Sequence, residues 1–269
     1  MTSTDPSSLP PSLLDSPIAS PLGEALIDAW RQHRPLSEGQ AKALAPVDDQ
    51  AAFAVQREVS DALGWYPQGR PRYWKLGGTL ARPTAGGVAD AHVLQAPTIL
   101  KPSELHTLCG VEVELAVRLN RDLTPEDDLD SVKDAVGSVM AAIEICDVRA
   151  DNYAHLPATF LLADQQMNRW LLLGGERQGG WQEHDANRPP RLWVNDESRD
   201  AIGLHPLGDP LRSLPWLNRI AGDLHQTSLK AGDVITTGTW CGLVVVNPRD
   251  TVRASFDGIG DVGFTLSPD

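Results

Sequence analysis

The sequence predicts an α+β fold in which a small helical N-terminal part precedes a β-rich body. Helical periodicity is strongest in the first quarter of the chain, where Ala25–Gln32 and Gln50–Leu63 carry apolar residues along one stripe. From Tyr73 onward, short β runs alternate with Gly and Pro turns. Strands and helices do not alternate in the regular way of a doubly wound fold, so we expect a predominantly antiparallel or mixed sheet.

The N-terminal part divides into a tail and two helices. Residues 1–22 are rich in Ser and Pro and lack a sustained period, which indicates a flexible tail that could order against a partner subunit. Asp48 is placed to cap the helix over Gln50–Leu63 because its carboxylate can accept from the first backbone N–H groups. The predicted organisation is a tail at 1–22, a helical region at 23–70 and a β-rich catalytic domain at 71–269.

Two further helices are predicted within the β-rich body. Apolar residues recur at helical spacing in Asp130–Ile143, which predicts a helix there. Ser213–Ile220 predicts another, with Pro215 in the first turn, where proline is tolerated. Short apolar runs between Gly and Asp turns predict the C-terminal strands. These strands are Asp233–Thr237, Leu243–Val246, Thr251–Ser255 and Gly263–Leu266.

Composition argues against several classes of partner. The 269 residues carry a formal net charge of -13, and such a surface repels nucleic-acid phosphates. The chain has no long apolar run of transmembrane type and no N-terminal secretory pattern. Cys109, Cys146 and Cys241 are widely spaced, which fits a reducing compartment better than a disulfide framework or a zinc site. We therefore expect a cytoplasmic protein that binds neither nucleic acid nor membranes.

The predicted strand Gly110–Leu119 contains two carboxylates. Its alternating pattern makes Glu112 and Glu114 project from one face, about 7 Å apart. Like charges this close repel unless a cation lies between them or one of them binds a proton. Oxygen ligands of this kind suit Mg2+, Mn2+ or Ca2+. On the pair alone, a half-exposed edge strand with solvated glutamates is an equally good explanation.

Two more charged residues stand in apolar sequence. Glu144 lies between Ile143 and Ile145, where an unpaired buried carboxylate would be destabilising unless it shared a cation with the glutamate pair. Taken alone, a helix end facing water explains Glu144 better. Lys75 follows Trp74 and precedes a Gly-Gly pair. It could be a desolvated lysine with an adjustable pKa, or a strand-edge lysine whose stem covers aromatic surface.

Several segments together resemble the fumarylacetoacetate hydrolase superfamily, and more narrowly its 2-keto-4-pentenoate hydratase and 4-oxalocrotonate decarboxylase branch. The similarity extends from about Asp48 to Phe264. The segments that carry it are Asp49–Gln56, Lys75–Thr79, Glu112–Glu114 with Asn120–Leu123, Ile143–Arg149, Leu162–Gln165, His205–Pro210 and Gly232–Thr239. The resemblance implies a mixed β-roll like the fumarylacetoacetase C-terminal domain, with a small helical N-terminal part, in a homo-oligomer.

The resemblance also implies a site for Mg2+ or Mn2+. Its three carboxylate ligands would be Glu112, Glu114 and Glu144. Lys75 would transfer a proton or contact an oxyanion, helped by Asp90 or a bound water. The residues around the substrate would be Gly77, Asp164, Gln165 and Thr239.

Three segments depart from the family pattern near the pocket. Asp90-Ala-His92 stands where hydratases tend to have Asp-Phe-Gly, and Cys109-Gly110 replaces a common Pro-Arg pair. Gln165 replaces Asn. These changes concern the pocket and therefore the substrate, while the metal ligands are kept.

The activity that the resemblance implies is that of a metal-dependent lyase, a hydratase of 2-hydroxy-2,4-dienoates or 2-oxo-4-enoates. Within the enzymes, the alternatives are a 4-oxalocrotonate-type decarboxylase and an acylpyruvate-type C–C hydrolase. The hydrolase would be favoured by His92 or His106 close to the metal. The alternative of another class is a non-catalytic binding or assembly protein that keeps the fold.

Overall fold

The computed structural model describes residues 20–199 and 203–269. The helices of these residues are α1 (Pro21–Gln32), α2 (Glu38–Leu44), α3 (Asp49–Ala62), α4 (Leu129–Asp134), α5 (Ala158–Ala163) and α6 (Leu214–His225). The strands are β1 (Tyr73–Gly78), β2 (Pro83–Val88), β3 (Val93–Gln95), β4 (Thr98–Leu100), β5 (Gly110–Leu119), β6 (Val136–Cys146), β7 (Asn168–Gln178), β8 (Arg191–Val194), β9 (Glu197–Arg199), β10 (Val234–Thr236), β11 (Val244–Val245), β12 (Thr251–Phe256) and β13 (Gly260–Leu266).

The strands of the described residues form two mixed sheets. The larger sheet has the order β2-β1-β10-β5-β6-β7-β3, and β11 pairs with the start of β5. The long strands β5, β6 and β7 are antiparallel, whereas β1 pairs with β10 and β3 pairs with β7 in parallel. The smaller sheet has the order β4-β13-β12-β8-β9. These curled mixed sheets with few helices confirm the predicted α+β class and β-roll architecture.

The main apolar core lies on one face of the central strands. Val111, Val113 and Leu115 of β5 pack there together with Val252 and Phe264 of the smaller sheet. Because side chains alternate along a strand, the residues between these valines and leucine project to the other face. That other face carries a smaller apolar cluster and, as described below, the glutamates.

The N-terminal helices pack against α5 and the segment before it. Leu26 of α1 and Val59 of α3 share an apolar cluster with Val148 and Phe160. The predicted cap of the second long helix is confirmed, since the Asp48 carboxylate accepts from the N–H at the start of α3. The helical part therefore packs directly on residues that follow β6, while the division at residue 70 stays a prediction.

The first helix begins earlier than predicted. Ser20 caps α1, which starts at Pro21, so the last two residues of the predicted tail at 1–22 are helical. Residues 1–19 of that tail lie outside the described residues. The early start reflects proline in the first helical turn, where its fixed φ suits the helix.

The prediction of a helix over Asp130–Ile143 was wrong. Only Leu129–Asp134 is helical, and Val136–Cys146 is the strand β6. β6 lies between β5 and β7, and all but one of its residues are buried. A strand buried on both faces carries a continuous apolar run, which periodicity alone does not distinguish from a buried helix.

The later elements match their predictions apart from their ends. The predicted helix at Ser213–Ile220 is α6, which continues five residues further, to His225. The four predicted C-terminal strands are β10 to β13. In the described part of the chain, no helix is long and apolar enough to cross a membrane.

Candidate active site

The pairing of β5 with β6 brings the three predicted carboxylates onto one face of two adjacent strands. Glu112 lies directly opposite Glu144 in the antiparallel register, and Glu114 follows two residues later on the same face of β5. Glu114 and Glu144 are completely buried, and Glu112 is half-buried. Directly opposed side chains on neighbouring strands are in contact distance, so this register places like charges side by side.

Lys75 reaches the same carboxylates from β1. It pairs with Thr236 of β10, which pairs in turn with Ala116 of β5, so all three residues lie on one face of the sheet. The Lys75 Nζ lies 2.5 Å from the Glu144 Oε1, and the lysine side chain is 3% exposed. Burial alone would lower the pKa of Lys75, but the neighbouring negative charges, Glu144 first among them, raise it overall. The carboxylates around Lys75 therefore favour its charged ammonium form.

Two buried carboxylate oxygens at this site have no protein partner. The Glu114 Oε2 accepts from the N–H of Gly238 at 2.7 Å, and the Glu144 Oε1 accepts from Asn168 Nδ2 at 2.9 Å. The remaining oxygens, Glu114 Oε1 and Glu144 Oε2, are buried without a hydrogen-bond donor. Burial, reinforced by the other carboxylates, raises the pKa of Glu112 and Glu114. Buried oxygens without a donor are destabilising, and a bound cation would satisfy them, so these residues fit a divalent metal ion.

The closest group of potential ligand atoms also includes a thiol. Among the described residues, single ligand atoms of Glu112, Glu144 and Cys146 lie within 4.8 Å of one another. Glu114 is not part of that tight group, and one of its oxygens accepts from the backbone N–H of Gly238. Cys146 lies two residues after Glu144 on β6, so its side chain shares the face of the glutamates.

Three consecutive residues after α5 have left-handed backbone conformations. The φ angles of Gln165, Gln166 and Met167 are 52°, 53° and 66°. Such angles are unfavourable by roughly 1–2 kcal/mol for each residue with a side chain. The turn directs the Gln166 carbonyl at the Lys75 ammonium, which donates to it at 2.8 Å. Backbone strain at this point therefore holds an acceptor against the proposed catalytic lysine.

Gly77 lies beside this turn and Gln165 is part of it, and their predicted contact with the substrate stays a prediction. The Gln166 amide donates to Thr84 Oγ1 and passes so close to Gly77 that a Cβ there would clash with its nitrogen. A larger residue at Gly77 would therefore have to displace the end of the flexible Gln166 side chain. Gln165 is buried, and its amide donates to the Gln56 carbonyl while its own Oε1 has no partner.

Asp164 does not face this cluster. Its two carboxylate oxygens accept from Arg149, one from Nε at 2.6 Å and one from the backbone N–H at 2.8 Å. Both side chains are completely buried. Asp164 therefore holds the segment after β6 in place, and the predicted substrate contact is not supported by its position.

Asp90 and Thr239 are also not brought to the carboxylates. Asp90 lies in a short 3-10 turn past the end of β2, where its half-exposed carboxylate is 4.0 Å from Arg72 Nε. On β2, Gly86 is the residue that pairs with Lys75. Thr239 directly follows Gly238, but its hydroxyl is bonded to the local backbone at Gly242. Among the described residues no hydrogen bond joins Asp90 to Lys75, and the help of Asp90 in proton transfer stays a prediction.

The two histidines that could have favoured a hydrolase have other partners. The His106 Nδ1 lies 3.0 Å from the Asp147 carboxylate, which also accepts from the backbone N–H of His106. His92 stacks on Trp30, with ring centroids 5.4 Å apart. In the part of the chain that the structure describes, the tight group of metal-ligand atoms contains neither histidine.

The structure adds residues that sequence analysis did not identify. They are Cys146, Asn168, Gln166 and Gly238. Three of them contact residues 24 to 124 positions away in sequence, and two act through backbone atoms. The local sequence therefore gave little indication that these residues lie at the site. Cys146 is the exception, because its position two residues after Glu144 in a strand places both side chains on one face.

Comparison with known proteins identifies the family. The fumarylacetoacetate (FAA) hydrolase C-terminal family model matches residues 56–267. The chain belongs to the FAA hydrolase family. Among curated relatives, 2-keto-4-pentenoate hydratase 1 of Dechloromonas aromatica (strain RCB) is 28% identical over 282 residues, covering 93% of this chain and 97% of the relative. A 2-keto-4-pentenoate hydratase of Burkholderia vietnamiensis is 32% identical over 163 residues, covering 58% of this chain and 60% of the relative.

Solved structures share the fold. A 4-oxalocrotonate decarboxylase from Pseudomonas putida G7, complexed with magnesium and adipate, superposes with a TM-score of 0.78 at 22% identity, over 91% of this chain and 95% of that one. A fumarylpyruvate hydrolase from Pseudomonas aeruginosa, in complex with Mn2+ and pyruvate, has a TM-score of 0.56 at 16% identity, over 73% of this chain and 89% of that one. At these identities the likeness concerns the fold.

Proposed function

We propose that this FAA hydrolase family member is a divalent-cation-dependent lyase that hydrates a 2-hydroxy-2,4-dienoate or its 2-oxo-4-enoate tautomer. The observation that carries the proposal is the pair of buried, unpartnered oxygens on Glu114 and Glu144 beside the charged Lys75. The curated relative that matches nearly the whole chain is named as a 2-keto-4-pentenoate hydratase, which supports the substrate class.

The ligands of the cation would be Glu112, Glu114 and Glu144, and the ion would be Mg2+ or Mn2+. Carboxylate oxygens are the donors that such hard ions prefer. Related folds have been solved with magnesium, calcium and Mn2+, which supports a divalent ion. When bound, the cation would supply Lewis-acid stabilisation of negative charge on the substrate's C2 oxygen.

Lys75 is the residue that would move the proton. An ammonium group has three N–H donors, of which Glu144 and the Gln166 carbonyl take two. We propose that the third donates to the substrate, and the neighbouring carboxylates, against the effect of burial, raise the pKa of Lys75 and favour its protonated form. A cation bound by the same carboxylates would lower this pKa and make the ammonium group a stronger acid. Lys75 would then deliver a proton to the terminal carbon of the dienol while the C2 hydroxyl loses its proton to solvent, which yields the conjugated 2-oxo acid to which water adds. Asp90 has no part in this proposal, because its carboxylate is paired with Arg72.

The alternatives differ in their support. A decarboxylase shares the fold at 22% identity and would use the same carboxylates and lysine, so only the reaction itself distinguishes it. A C–C hydrolase gains no support from His92 and His106, which have partners elsewhere. A non-catalytic protein would have no need of buried, unpartnered glutamate oxygens, which are destabilising without a ligand. The homo-oligomer and the cytoplasmic location stay predictions.

The test is an assay of the purified protein with and without Mg2+ or Mn2+. We expect metal-dependent loss of the ultraviolet absorption of 2-hydroxypenta-2,4-dienoate without release of CO2. Release of CO2 from 2-oxohex-3-enedioate would favour the decarboxylase, and turnover of neither substrate would refute the assignment. Glu114→Gln should abolish both Mg2+ or Mn2+ binding and turnover, whereas Glu126→Gln at an exposed position should change neither.

A further inference from the structure

We infer that Cys146 gives this site a second mode of metal binding, in which Glu112, Glu144 and the Cys146 sulfur hold a thiophilic divalent cation such as Zn2+ or Cd2+. The inference shares two ligands with the proposed function and rests on it to that extent. It differs from the expectation, drawn from the wide spacing of the three cysteines, that they form no zinc site.

The distances suit such an ion. Ligand atoms of the three residues lie within 4.8 Å of one another. Around a zinc ion with Zn–S near 2.3 Å and Zn–O near 2.1 Å, neighbouring ligand atoms are roughly 3–4 Å apart. Side-chain rotations that bring these ligand atoms about 1 Å closer together would therefore close the site, and the strands β5 and β6 can stay in place.

The opposite strand leaves room for the thiol. Cys146 is paired with Gly110, which has no side chain. A Cβ at that position would lie 3.1 Å from the Cys146 Cβ and 2.7 Å from a methyl group of Leu243. Any larger residue at Gly110 would therefore crowd the thiol, and glycine leaves it free to turn toward the glutamates.

The Glu144 Oε2 has no hydrogen-bond partner and could therefore bind the same ion as the sulfur. The Glu144 Oε1 is taken by Lys75 and Asn168, whereas its Oε2 is completely buried and has no partner. That oxygen and the sulfur project from the same face of β6, two residues apart. On metal binding, the S–H bond breaks, a metal–sulfur bond forms and the proton passes to solvent.

The two modes of binding exclude each other. Glu114 lies on one side of the opposed pair Glu112 and Glu144, and Cys146 lies on the other side. Along the strands, the Cα atoms of Glu114 and Cys146 each lie about 7 Å from the pair, and therefore roughly 14 Å from each other. We therefore expect a single ion to be bound by one of them but not by both. Hard ions prefer the all-oxygen set and thiophilic ions prefer the set with sulfur. A thiophilic ion bound through Cys146 would therefore displace Mg2+ or Mn2+.

Cobalt provides a direct probe of the sulfur ligand. Co2+ added to the metal-free protein should produce a near-ultraviolet thiolate-to-Co2+ charge-transfer band. Cys146→Ser should abolish the band, whereas Cys241→Ser should retain it, since the Cys241 thiol is engaged with the Gly242 carbonyl. By calorimetry, Cd2+ should bind Cys146→Ser at least tenfold more weakly than the wild type, while the Mg2+ affinity should change by less than threefold.

The outcomes separate the inference from the proposed function. Absence of the band in the wild type, its persistence in Cys146→Ser, or an equal loss of Cd2+ and Mg2+ affinity would overturn the inference. If Cys146→Ser melts more than a few degrees below the wild type, Cys146→Ala serves as the second variant, with the same expected results. Dienoate turnover with Mg2+ is measured separately, so a sulfur band without turnover would refute the function and leave the metal site standing.

Discussion

Replacement of Lys75 by methionine tests whether the ammonium group balances the buried glutamates. Its Nζ lies 2.5 Å from Glu144 Oε1, and its charge acts to lower the pKa of Glu112 and of Glu114 against the effect of burial. Removing one partner of a buried ion pair typically destabilises a protein by about 3–5 kcal/mol, because the other charge stays buried and uncompensated. For a chain of this size, 1 kcal/mol corresponds to roughly 2–4 °C, so metal-free Lys75→Met should melt about 10 °C below the wild type.

The assay is thermal unfolding with EDTA and again with excess Mg2+. A cation that binds only the folded protein adds about 2.7 kcal/mol when present at a hundred times its Kd, so Mg2+ should stabilise both proteins. We expect the stabilisation to be larger in Lys75→Met, where no ammonium group competes for the Glu144 carboxylate. Turnover with Mg2+ should fall by about 10²–10⁴, the usual contribution of a positioned proton donor.

The control is Lys101→Met, at an exposed lysine outside the site. It removes the same charge and should change neither melting temperature nor turnover. An unchanged melting temperature of Lys75→Met in EDTA would refute the charge-balance argument. Full turnover of Lys75→Met with Mg2+ would refute the proton-transfer role even if the stability result held.

Three further predictions concern the surrounding residues. Burial would raise the pKa of Asp147, but hydrogen bonds, of which the one from His106 is the strongest, lower it to about 2. About 2 kcal/mol of the free energy of unfolding, present above pH 4, is therefore lost as the pH falls towards 2. Asp147→Asn should flatten that limb of the acid unfolding curve followed by circular dichroism, and an unchanged limb would contradict this. Burial lowers the pKa of His92 from 6.5 to about 4, so the unfolded protein binds the proton first as the pH falls. Up to about 3 kcal/mol of the free energy of unfolding is therefore lost as the pH falls from 6.5 to 4, and His92→Phe should remove that loss in the same measurement. Gly238 has a φ of +94° and donates to a site glutamate, so Gly238→Ala should weaken Mg2+ binding about tenfold in calorimetry, and equal affinity would refute the role of this N–H.

The shared face of Glu112 and Glu114 could be predicted because strand alternation is a local property of the sequence. The position of Glu144 could not, since it depends on the register between β5 and β6. Sequence analysis placed Glu144 at the end of a helix, and the residue in fact lies within a strand buried on both faces. Its role followed from the family resemblance, which carries the register that periodicity lacks.

The contacts that orient Lys75 could not be predicted for a different reason. Its acceptor is the backbone carbonyl of Gln166, presented by a left-handed turn. Glutamine gives no sign of such a backbone, unlike glycine or asparagine. The space for Cys146 likewise depends on the residue that faces it, Gly110, which lies 36 positions earlier in sequence and meets it only through strand pairing.

The charge balance of the cluster indicates that it exists to bind a ligand. Three glutamates face one lysine, and two of their oxygens are buried without a partner. Stability alone would favour apolar residues at such positions, because replacing a buried ionic group by well-packed apolar side chains is often neutral or stabilising. The ammonium group of Lys75 together with one divalent cation neutralises the three carboxylates, which neither does alone. Binding of the cation therefore relieves a strain that the fold maintains, and the same neutral site can then accept the carboxylate of a 2-oxo acid without repelling it.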